Sequence, residues 1–488
     1  MTIDKVSNKS KVLHGISSQT LVVLIIGIVE IVFFSIMTRI LSKEDFGFFA
    51  AVSAITIIFS TFADSGIGSA VVQKKKLDDE FKNNAFSLSL IIGFVVSSIL
   101  IILSGPIANL IIDKTLKIPL MIMSITLICN SLVSVNYSLL QRKLQFFRIG
   151  MINLFSLLIS IIISVFLAIK GFGFYAIIIK SVLYSILTLI LSFCFVKEKF
   201  KWNINQKTIK SIWGFSGWLL FSVILRNIGL QIDRLVMGRL LSVTSLGAYN
   251  RPKEFIDQIS NKLNGIFDTV LFPVLSGIQN DVKSLSTAYK TSLYYMNIFS
   301  MLLALTFIFN SQLIIRIFLG EEWISVKFIF IILSINLIFN IDGRLSDCYF
   351  RSLGLTKQQF YFRFIQMVLT TSLVISGIFM NKMLGAAIGF TCANFLMVFL
   401  KLHYLTSRLL VPFTQVFEIL LSSWRFILYI IPIMIFSHYL LPTTLLGDFL
   451  NLLIFLLLLF VQFIIFPRVV GEKYYKGAYH MILTFLKK

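Results

Sequence analysis

The stretch RILSKEDFG, from Arg39 to Gly47, follows more than twenty mostly apolar residues and has a counterpart later in the chain. This near copy, RLLSVTSLG, runs from Arg239 to Gly247 after another apolar stretch, at an offset of 239 − 39 = 200 residues. Each copy has the frame Arg-x-Leu-Ser, four further residues and Gly. A frame that ends a hydrophobic helix twice predicts an internal repeat. We expect the frame to form a helix end and a turn, with Arg39 at the membrane surface, and not to bind a ligand.

Composition assigns the chain to the membrane proteins. Its 488 residues are 57% hydrophobic and only 14% charged, whereas globular proteins carry about 25% charged residues. Mean hydropathy is +0.90, and apolar runs long enough to form transmembrane helices recur along the whole length. The sequence therefore predicts an all-α polytopic membrane protein with about fourteen transmembrane helices.

The net charge of +22 arises from Lys and Arg in short segments between the apolar runs, such as KEKFKWNINQKTIK at 197–210. A nucleic-acid surface would instead gather its cations in one patch interleaved with aromatic residues. Excess Lys and Arg in short loops marks the cytoplasmic side of a membrane. We therefore expect a lipid bilayer and no nucleic acid as partner, and an orientation with both termini in the cytoplasm.

The repeat divides the predicted spans into two halves. Both frames fall at the outer end of an odd-numbered span, the first and the seventh, so each half holds six spans that start in the cytoplasm. Such halves are parallel and related by a pseudo-two-fold axis along the membrane normal. The predicted organisation is an N-terminal lobe at 1–197, a cytoplasmic linker at 198–211, a C-terminal lobe at 212–405, and two further spans with a cytoplasmic tail at 406–488. Two lobes around a central cavity are typical of a transporter.

The eighth span, GAYNRPKEFIDQISNKLNGIFDTVLFPVL, is unusually polar and carries Arg251, Lys253 and Lys262. At helical spacing Arg251, Glu254 and Lys262 lie on one face. A helix that is polar on most sides cannot face lipid, so we expect it to line an aqueous cavity. The alternative is an extramembrane or interfacial amphipathic helix.

Other ionisable residues also lie within predicted spans, where they normally face the protein interior or water. Arg226, Asp233 and Arg234 lie in span seven, and Asp342, Arg344 and Asp347 lie in span ten. Arg226 and Asp233 share a helix face, so they either contact a substrate or neutralise each other. Glu30 in span one is either a titratable carboxyl or the partner of a cation. Asp64 lies among glycines, where helix packing competes with a functional role.

Catalytic and cofactor motifs are missing from the sequence. It has no Walker-type phosphate-binding loop, its four histidines are isolated, and no Ser/His/Asp constellation can be assembled. The four cysteines lie singly inside apolar segments, which predicts neither disulfides nor a metal site. A secondary transporter therefore fits better than an enzyme.

The chain resembles the Wzx-type flippases of lipid-linked oligosaccharides, in the colanic-acid-like exporter group of the multidrug/oligosaccharidyl-lipid/polysaccharide exporter superfamily. The matching stretches occur in the family's order over most of residues 10–410. They are TRILSKEDFGFFAAV (38–52), FADSGIGSAVVQKK (62–75), LLQRKLQFFR (139–148), IDRLVMGRLLSVTSLGAYNRPKEF (232–255), LFPVLSGIQND (271–281) and LGEEW (319–323).

The resemblance implies alternating access that moves an undecaprenyl-diphosphate-linked oligosaccharide to the outer leaflet of the bacterial inner membrane. The family pattern of an acidic-basic pair followed by a polar helix matches four positions here, and further lumen cations extend the predicted substrate contacts. The full set is Arg226, Asp233, Arg234, Arg251, Lys253, Lys262 and Arg344. Coupling to H⁺ or Na⁺ is common in the superfamily, and Glu30 or Asp64 could serve it.

The resemblance also leaves alternatives. A cation-coupled multidrug antiporter of the same fold would favour an acidic, aromatic-lined cavity. A peptidoglycan-precursor flippase would be essential for growth. A membrane-bound glycosyltransferase or polymerase would typically carry a large extramembrane loop. We expect no cofactor and a monomer that could work beside polysaccharide polymerase or chain-length partners.

Overall fold

The computed structural model describes residues 3–64, 66–74, 77–112, 114–198, 200–266, 271–428, 430–440 and 445–469. Side chains are not described for residues 3–21, 206–222, 262–266, 425–428 and 459–469, nor for several other residues that include Asp64. The described residues contain helices and no β-strand. The all-α architecture is therefore confirmed.

The helices are numbered in chain order. They are α1 (Ile3–Ile40), α2 (Lys43–Asp64), α3 (Ile67–Gln73), α4 (Asp79–Ile111), α5 (Lys117–Arg142), α6 (Phe146–Ile169), α7 (Tyr175–Val196), α8 (Gln206–Leu240), α9 (Val243–Ile266), α10 (Phe272–Gly277), α11 (Val282–Phe309), α12 (Ser311–Ile314), α13 (Lys327–Ser352), α14 (Thr356–Arg408), α15 (Phe413–Leu428), α16 (Ile430–Leu440) and α17 (Leu445–Val469).

Nine helices within the described residues are long and apolar enough to cross a membrane. The chain is therefore a multi-pass membrane protein, while the total of about fourteen spans stays a prediction. One of the nine, α14, has 53 residues and leaves helical geometry at Asn381 and Lys382. This break divides it into two arms that correspond to the predicted spans eleven and twelve.

Glycines let the two arms of α14 pack backbone to backbone. A Cβ on Gly385 would lie 1.8 Å from the Gly377 carbonyl oxygen, and one on Gly389 would lie 2.1 Å from the Leu373 carbonyl oxygen. No side chain fits at such distances, so this hairpin requires glycine at both positions.

The chain forms two compact units, Met1–Ala248 and Tyr249–Lys488. In the first unit α8 packs against α2 and α4, so the seventh predicted span joins the six that precede it. The boundary between the units falls inside α9, whereas the predicted lobes meet at the 198–211 linker. The lobe division itself remains a prediction from the repeat.

The two copies of the repeated frame meet inside the first unit. A Cβ on Gly247 would lie 1.8 Å from the Lys43 carbonyl oxygen, and a Cβ on Gly47 would lie 2.0 Å from the Val243 carbonyl oxygen. Position 43 thus faces 247 as 243 faces 47, which is a reciprocal contact between equivalent residues of the repeat. The first turns of α2 and α9 approach so closely here that only glycine fits at either position.

The serine of each frame begins the helix that follows. Ser42 Oγ accepts a hydrogen bond from the Asp45 amide at 3.1 Å, and Asp45 Oδ2 accepts one from the Ser42 amide at 3.0 Å. This reciprocal pair is a capping box. In the second copy Ser242 Oγ accepts from the Ser245 amide at 3.2 Å. The frame therefore ends one helix, caps the next and places a glycine where the two copies touch, in agreement with its predicted structural role.

Candidate functional site

The polar helix α9 carries buried cations. Arg251 is 5% exposed and Lys253 is 3% exposed. Arg251 Nη1 donates to Glu254 Oε2 at 2.8 Å, on the helix face that the sequence predicted for both residues. Lys253 Nζ lies 4.1 Å from the centre of the Phe390 ring. Each of these cations therefore lies against a carboxylate or an aromatic face inside the second unit.

Lys262 was predicted to continue this face, but its side chain lies outside the described part of the chain. The same holds for Asp64, the predicted ion-coupling residue at the end of α2. Asp268, which the sequence also placed on the polar helix, falls in the undescribed segment 267–270.

The α8 candidates are buried or half-buried. Asp233 is fully buried, and Arg234 is 9% exposed and donates from Nη1 to Gln231 Oε1 at 2.7 Å. Arg226 is half-buried one residue before Asn227, whose amide donates to Thr61 Oγ1 of α2 at 2.7 Å. The polar residues of α8 thus include a direct hydrogen bond to α2.

A charged cluster joins α13 to both arms of α14. The Asp347 carboxylate accepts a hydrogen bond from Lys401 Nζ at 2.9 Å and another from the Arg363 guanidinium. Asp347 and Lys401 are both buried, and the half-buried Arg344 on α13 adds a third positive charge that acts on Asp347. Three cations around one carboxylate leave this cluster with a positive surplus.

The sequence singled out Asp347 and Arg344 but missed Arg363 and Lys401. Its span directions contained the signal, because span ten ends, span eleven begins and span twelve ends on the same side of the membrane. Residues 347, 363 and 401 lie near those three ends, so their charges were available for pairing at one level.

A second polar chain links α13, α11 and α15. Asn297 Nδ2 donates to Asp342 Oδ2 at 2.9 Å, and Ser423 Oγ donates to Asn297 Oδ1 at 2.7 Å. All three residues are buried. Asn297 and Ser423 were not predicted, since isolated uncharged polar residues in apolar helices resemble ordinary core positions.

The predicted coupling residue Glu30 lies half-buried on α1 in the first unit. Its charge acts on the Tyr184 hydroxyl, which donates to Asn153 Oδ1 at 3.1 Å. Tyr137 donates to the same oxygen at 2.6 Å. Glu30 therefore lies near a cluster of neutral hydrogen-bonding groups, and its role in ion coupling remains a prediction.

The described residues contain no candidate metal site, because no three or more of their His, Cys, Asp or Glu side chains form a group able to hold an ion. None of the four cysteines forms a disulfide, and Cys129 and Cys348 are buried.

Comparisons with known proteins agree with this architecture. The chain is 24% identical over 416 residues to the lipopolysaccharide biosynthesis protein WzxC of Escherichia coli, covering 83% of this chain and 80% of that protein. The fold matches that of the lipid II flippase MurJ in an inward closed conformation, with a TM-score of 0.74 and 18% identity over 92% of this chain and 98% of that one.

A multidrug transporter of the MATE family, in an inward-facing conformation, shares the fold at a TM-score of 0.63 and 12% identity, over 78% of this chain and 94% of that one. The family model described as polysaccharide biosynthesis protein matches residues 36–328, which is more than half of the chain. The expected resemblance is thereby confirmed, and the chain belongs to this polysaccharide biosynthesis protein family.

Proposed function

We propose that this protein is a flippase that moves lipid-linked oligosaccharides, carried on undecaprenyl diphosphate, from the cytoplasmic to the outer leaflet during surface polysaccharide synthesis. Family membership and the relative named for lipopolysaccharide biosynthesis support this function. The fold shared with a lipid II flippase supports the mode of transport. In this proposal the protein is a transporter and not an enzyme.

The observation that carries the proposal is the burial of cations on α9 and α14. An ionisable side chain at membrane depth costs several kcal/mol, so it is kept where it serves a function. Arg251, Lys253 and Lys401 are nevertheless buried among membrane-spanning helices. Guanidinium and ammonium groups are the side chains that bind phosphate oxygens, which fits a substrate with a diphosphate head.

The physical problem that such a protein solves is desolvation. Diphosphate and sugar groups cannot cross hydrocarbon unaided, because they would lose their hydrogen bonds to water. Buried polar and cationic side chains replace that water during passage, while the lipid tail stays in the bilayer. We propose that Arg251 and Lys253 contact the diphosphate and that the other predicted residues, Arg226, Asp233, Arg234, Lys262 and Arg344, complete the path.

In this proposal, the reciprocal glycine contact closes one end of the substrate path. With both termini in the cytoplasm, the turns that connect α1 to α2 and α8 to α9 lie at the outer surface. In the proposed cycle, the contact of Gly47 with Gly247 holds this end shut and separates when the substrate leaves. The proposed location is the bacterial inner membrane, with the protein acting as a monomer beside the polymerase machinery.

Reconstitution tests the function directly. Purified protein is placed in proteoliposomes with a fluorescent undecaprenyl-diphosphate oligosaccharide, and the sugar that reaches the opposite leaflet is measured with a membrane-impermeant sugar-binding protein. We expect transfer that requires the protein. Transfer of small organic cations, without transfer of the lipid-linked sugar, would identify a multidrug antiporter instead.

Gene deletion distinguishes the proposed function from the remaining alternative, a flippase of peptidoglycan precursors. Loss of surface polysaccharide with continued growth is the expected result. Immediate arrest of growth and cell-wall synthesis would identify a flippase of peptidoglycan precursors.

A further inference from the structure

The chain Asp342–Asn297–Ser423 contains a carboxyl whose surroundings differ from those of the other buried acid on α13. Asp347, five residues later, is hydrogen-bonded to two cations. Asp342 is 3% exposed and receives its described hydrogen bond from a neutral amide, on Oδ2. Its other oxygen, Oδ1, has no hydrogen-bond partner among the described residues. The two acids on α13 therefore differ in their partners, since Asp347 is bound to cations and Asp342 to a neutral amide.

We infer that Asp342 is a proton-binding site that couples proton movement to the conformational cycle of the proposed flippase. The inference rests on the proposed function for its role in transport, but proton binding itself does not depend on the substrate. A buried carboxylate without a compensating cation is expensive, and the neutral acid removes that cost. The added proton is carried on Oδ2, the carboxyl oxygen that faces the Asn297 amide.

Titratable groups lie on each helix near Asp342. On α14, Arg363 and Lys401 hydrogen-bond to Asp347. On α11, the Tyr289 hydroxyl interacts with Asp342, and Lys290 lies seven residues before Asn297, about 10 Å along the helix axis. On α15, Glu418 is exposed, and the side chain of Arg425 lies outside the described part of the chain. On α13 itself, Arg344 lies two residues after Asp342 and acts on Asp347. Further titratable side chains on or beside these helices include Lys283 on α11, Tyr349 on α13, and Glu321 and Glu322 before α13.

The direction of the hydrogen bonds favours a proton over a metal cation. Ser423 Oγ donates to Asn297 Oδ1, so Asn297 turns its NH₂ group towards the carboxyl. A sodium ion would need oxygen ligands around Asp342, whereas the nearest amide presents a donor. The carboxyl in this geometry can gain or lose a proton without any further ligand.

Ser423 allows the chain to adapt to both states of the acid. Its hydroxyl donates to Asn297 Oδ1 and also lies 2.7 Å from the Leu420 carbonyl oxygen. With Asp342 ionised, the amide donates to the carboxylate and the serine donates to the amide. With Asp342 protonated, the serine turns to Leu420 and the amide can reverse to accept the acid proton. Each state then has matched donors and acceptors.

The location ties proton exchange to helix movement. Asp342 is buried on α13 against Asn297 of α11, which Ser423 joins to α15, so we expect water to reach it when these helices separate. Protonated and ionised forms therefore belong to different arrangements of the three helices. That difference is the requirement for coupling an ion gradient to a conformational equilibrium.

Infrared spectroscopy of the full-length protein in lipid tests the inference without any substrate. A protonated carboxylic acid has a carbonyl stretch distinct from that of a carboxylate, and its intensity is followed as pH is varied. We expect a titrating band in the wild type that is absent in Asp342→Asn, which keeps the shape and fixes the neutral state. The exposed α15 carboxyl gives the matched control, Glu418→Gln, in which the band persists.

Three results would contradict proton binding at Asp342. A band that survives in Asp342→Asn, or the absence of any titrating band at this residue in the wild type, contradicts the inference. A band that disappears when sodium replaces potassium at constant pH indicates a sodium site and also overturns it. If Asp342→Asn does not fold, Ser423→Ala replaces it, with a displaced titration midpoint expected and an unchanged midpoint contradictory.

The role in transport needs a second measurement, the pH dependence of lipid-linked sugar transfer in proteoliposomes. We expect transfer by Asp342→Asn to lose the pH dependence that the wild type shows, and retained dependence contradicts the coupling. If the wild type transfers no lipid-linked sugar at all, the proposed function fails, while the infrared result still decides whether Asp342 binds a proton.

Discussion

The helices before and after the repeat boundary differ in the polar groups they bury. From α1 to α7, the buried polar side chains in the described residues are Ser, Thr and Asn, and none is charged. From α8 onward the buried set also includes Asp233, Arg251, Lys253, Asp347 and Lys401. The buried polar groups of α1 to α7 are thus neutral, whereas the helices from α9 onward, whose core we call the second interior, bury charged groups as well.

The largest effect is expected from reversing a charge in the second interior. Arg251→Glu puts two carboxylates at the position of the Arg251–Glu254 pair, and we expect export of surface polysaccharide to stop. The charge-swap variant Arg251→Glu with Glu254→Arg restores the ion pair and separates folding from transport. We expect it to be folded in size-exclusion chromatography and still inactive. Normal surface polysaccharide in the swap variant would remove Arg251 from the substrate path.

The next effect is a loss of stability at the charged cluster. Asp347→Leu leaves Lys401 and Arg363 buried without their carboxylate, which should destabilise the protein by about 3–5 kcal/mol. The double variant Asp347→Leu with Lys401→Leu should lose less, because one buried charge is removed with its partner. Thermal melting in detergent measures both. Equal melting of wild type and the single variant would show that the ion pairs contribute nothing.

A smaller loss is expected where the two repeats touch. Gly247→Ala brings a Cβ against the Lys43 carbonyl, and such overpacking costs about 1–3 kcal/mol. Gly105→Ala is the matched control, because a Cβ there meets nothing within 4 Å. Melting should fall for the first variant and not for the second. Cysteines placed at 43 and 243 should also become more accessible to a water-soluble reagent in Gly247→Ala.

The smallest change in stability is expected at the two helix caps, which differ at positions 45 and 245. Asp45 accepts from the Ser42 amide and also from the Phe174 amide at 2.9 Å, whereas position 245 in the other copy is a serine. Asp45→Ser should therefore cost about 1 kcal/mol. Ser245→Asp should change stability little, and a larger loss for Ser245→Asp than for Asp45→Ser would contradict this difference in melting experiments.

The repeat and the helix ends could be predicted because they depend on local patterns. A capping serine, a run of apolar residues and a fixed offset of 200 residues are visible without coordinates. The facing of Arg251 and Glu254 follows from helical spacing alone. The same reasoning could not show that Gly47 and Gly247 touch. A sequence repeat indicates that two segments have equivalent structures, but it does not indicate that they lie close together.

The pairings in the second interior depend on distant parts of the chain. Asp347 meets Lys401 across 54 residues, and Ser423 meets Asn297 across 126. Hydropathy assigns such residues to helices without specifying which faces meet. The sequence accordingly named Asp342 and Asp347 alike as intramembrane charges, because nothing local distinguishes a carboxyl bound to an amide from one bound to a cation.

The contact of Gly47 with Gly247 has the geometry of an isologous interface, in which one surface meets its own equivalent across a two-fold axis. Such interfaces normally join two subunits, and here both partners belong to one chain. Each glycine meets the backbone of the opposite copy, so no change of side chain in that copy can make room for a larger residue. A larger residue at either position alone is therefore enough to disturb the junction.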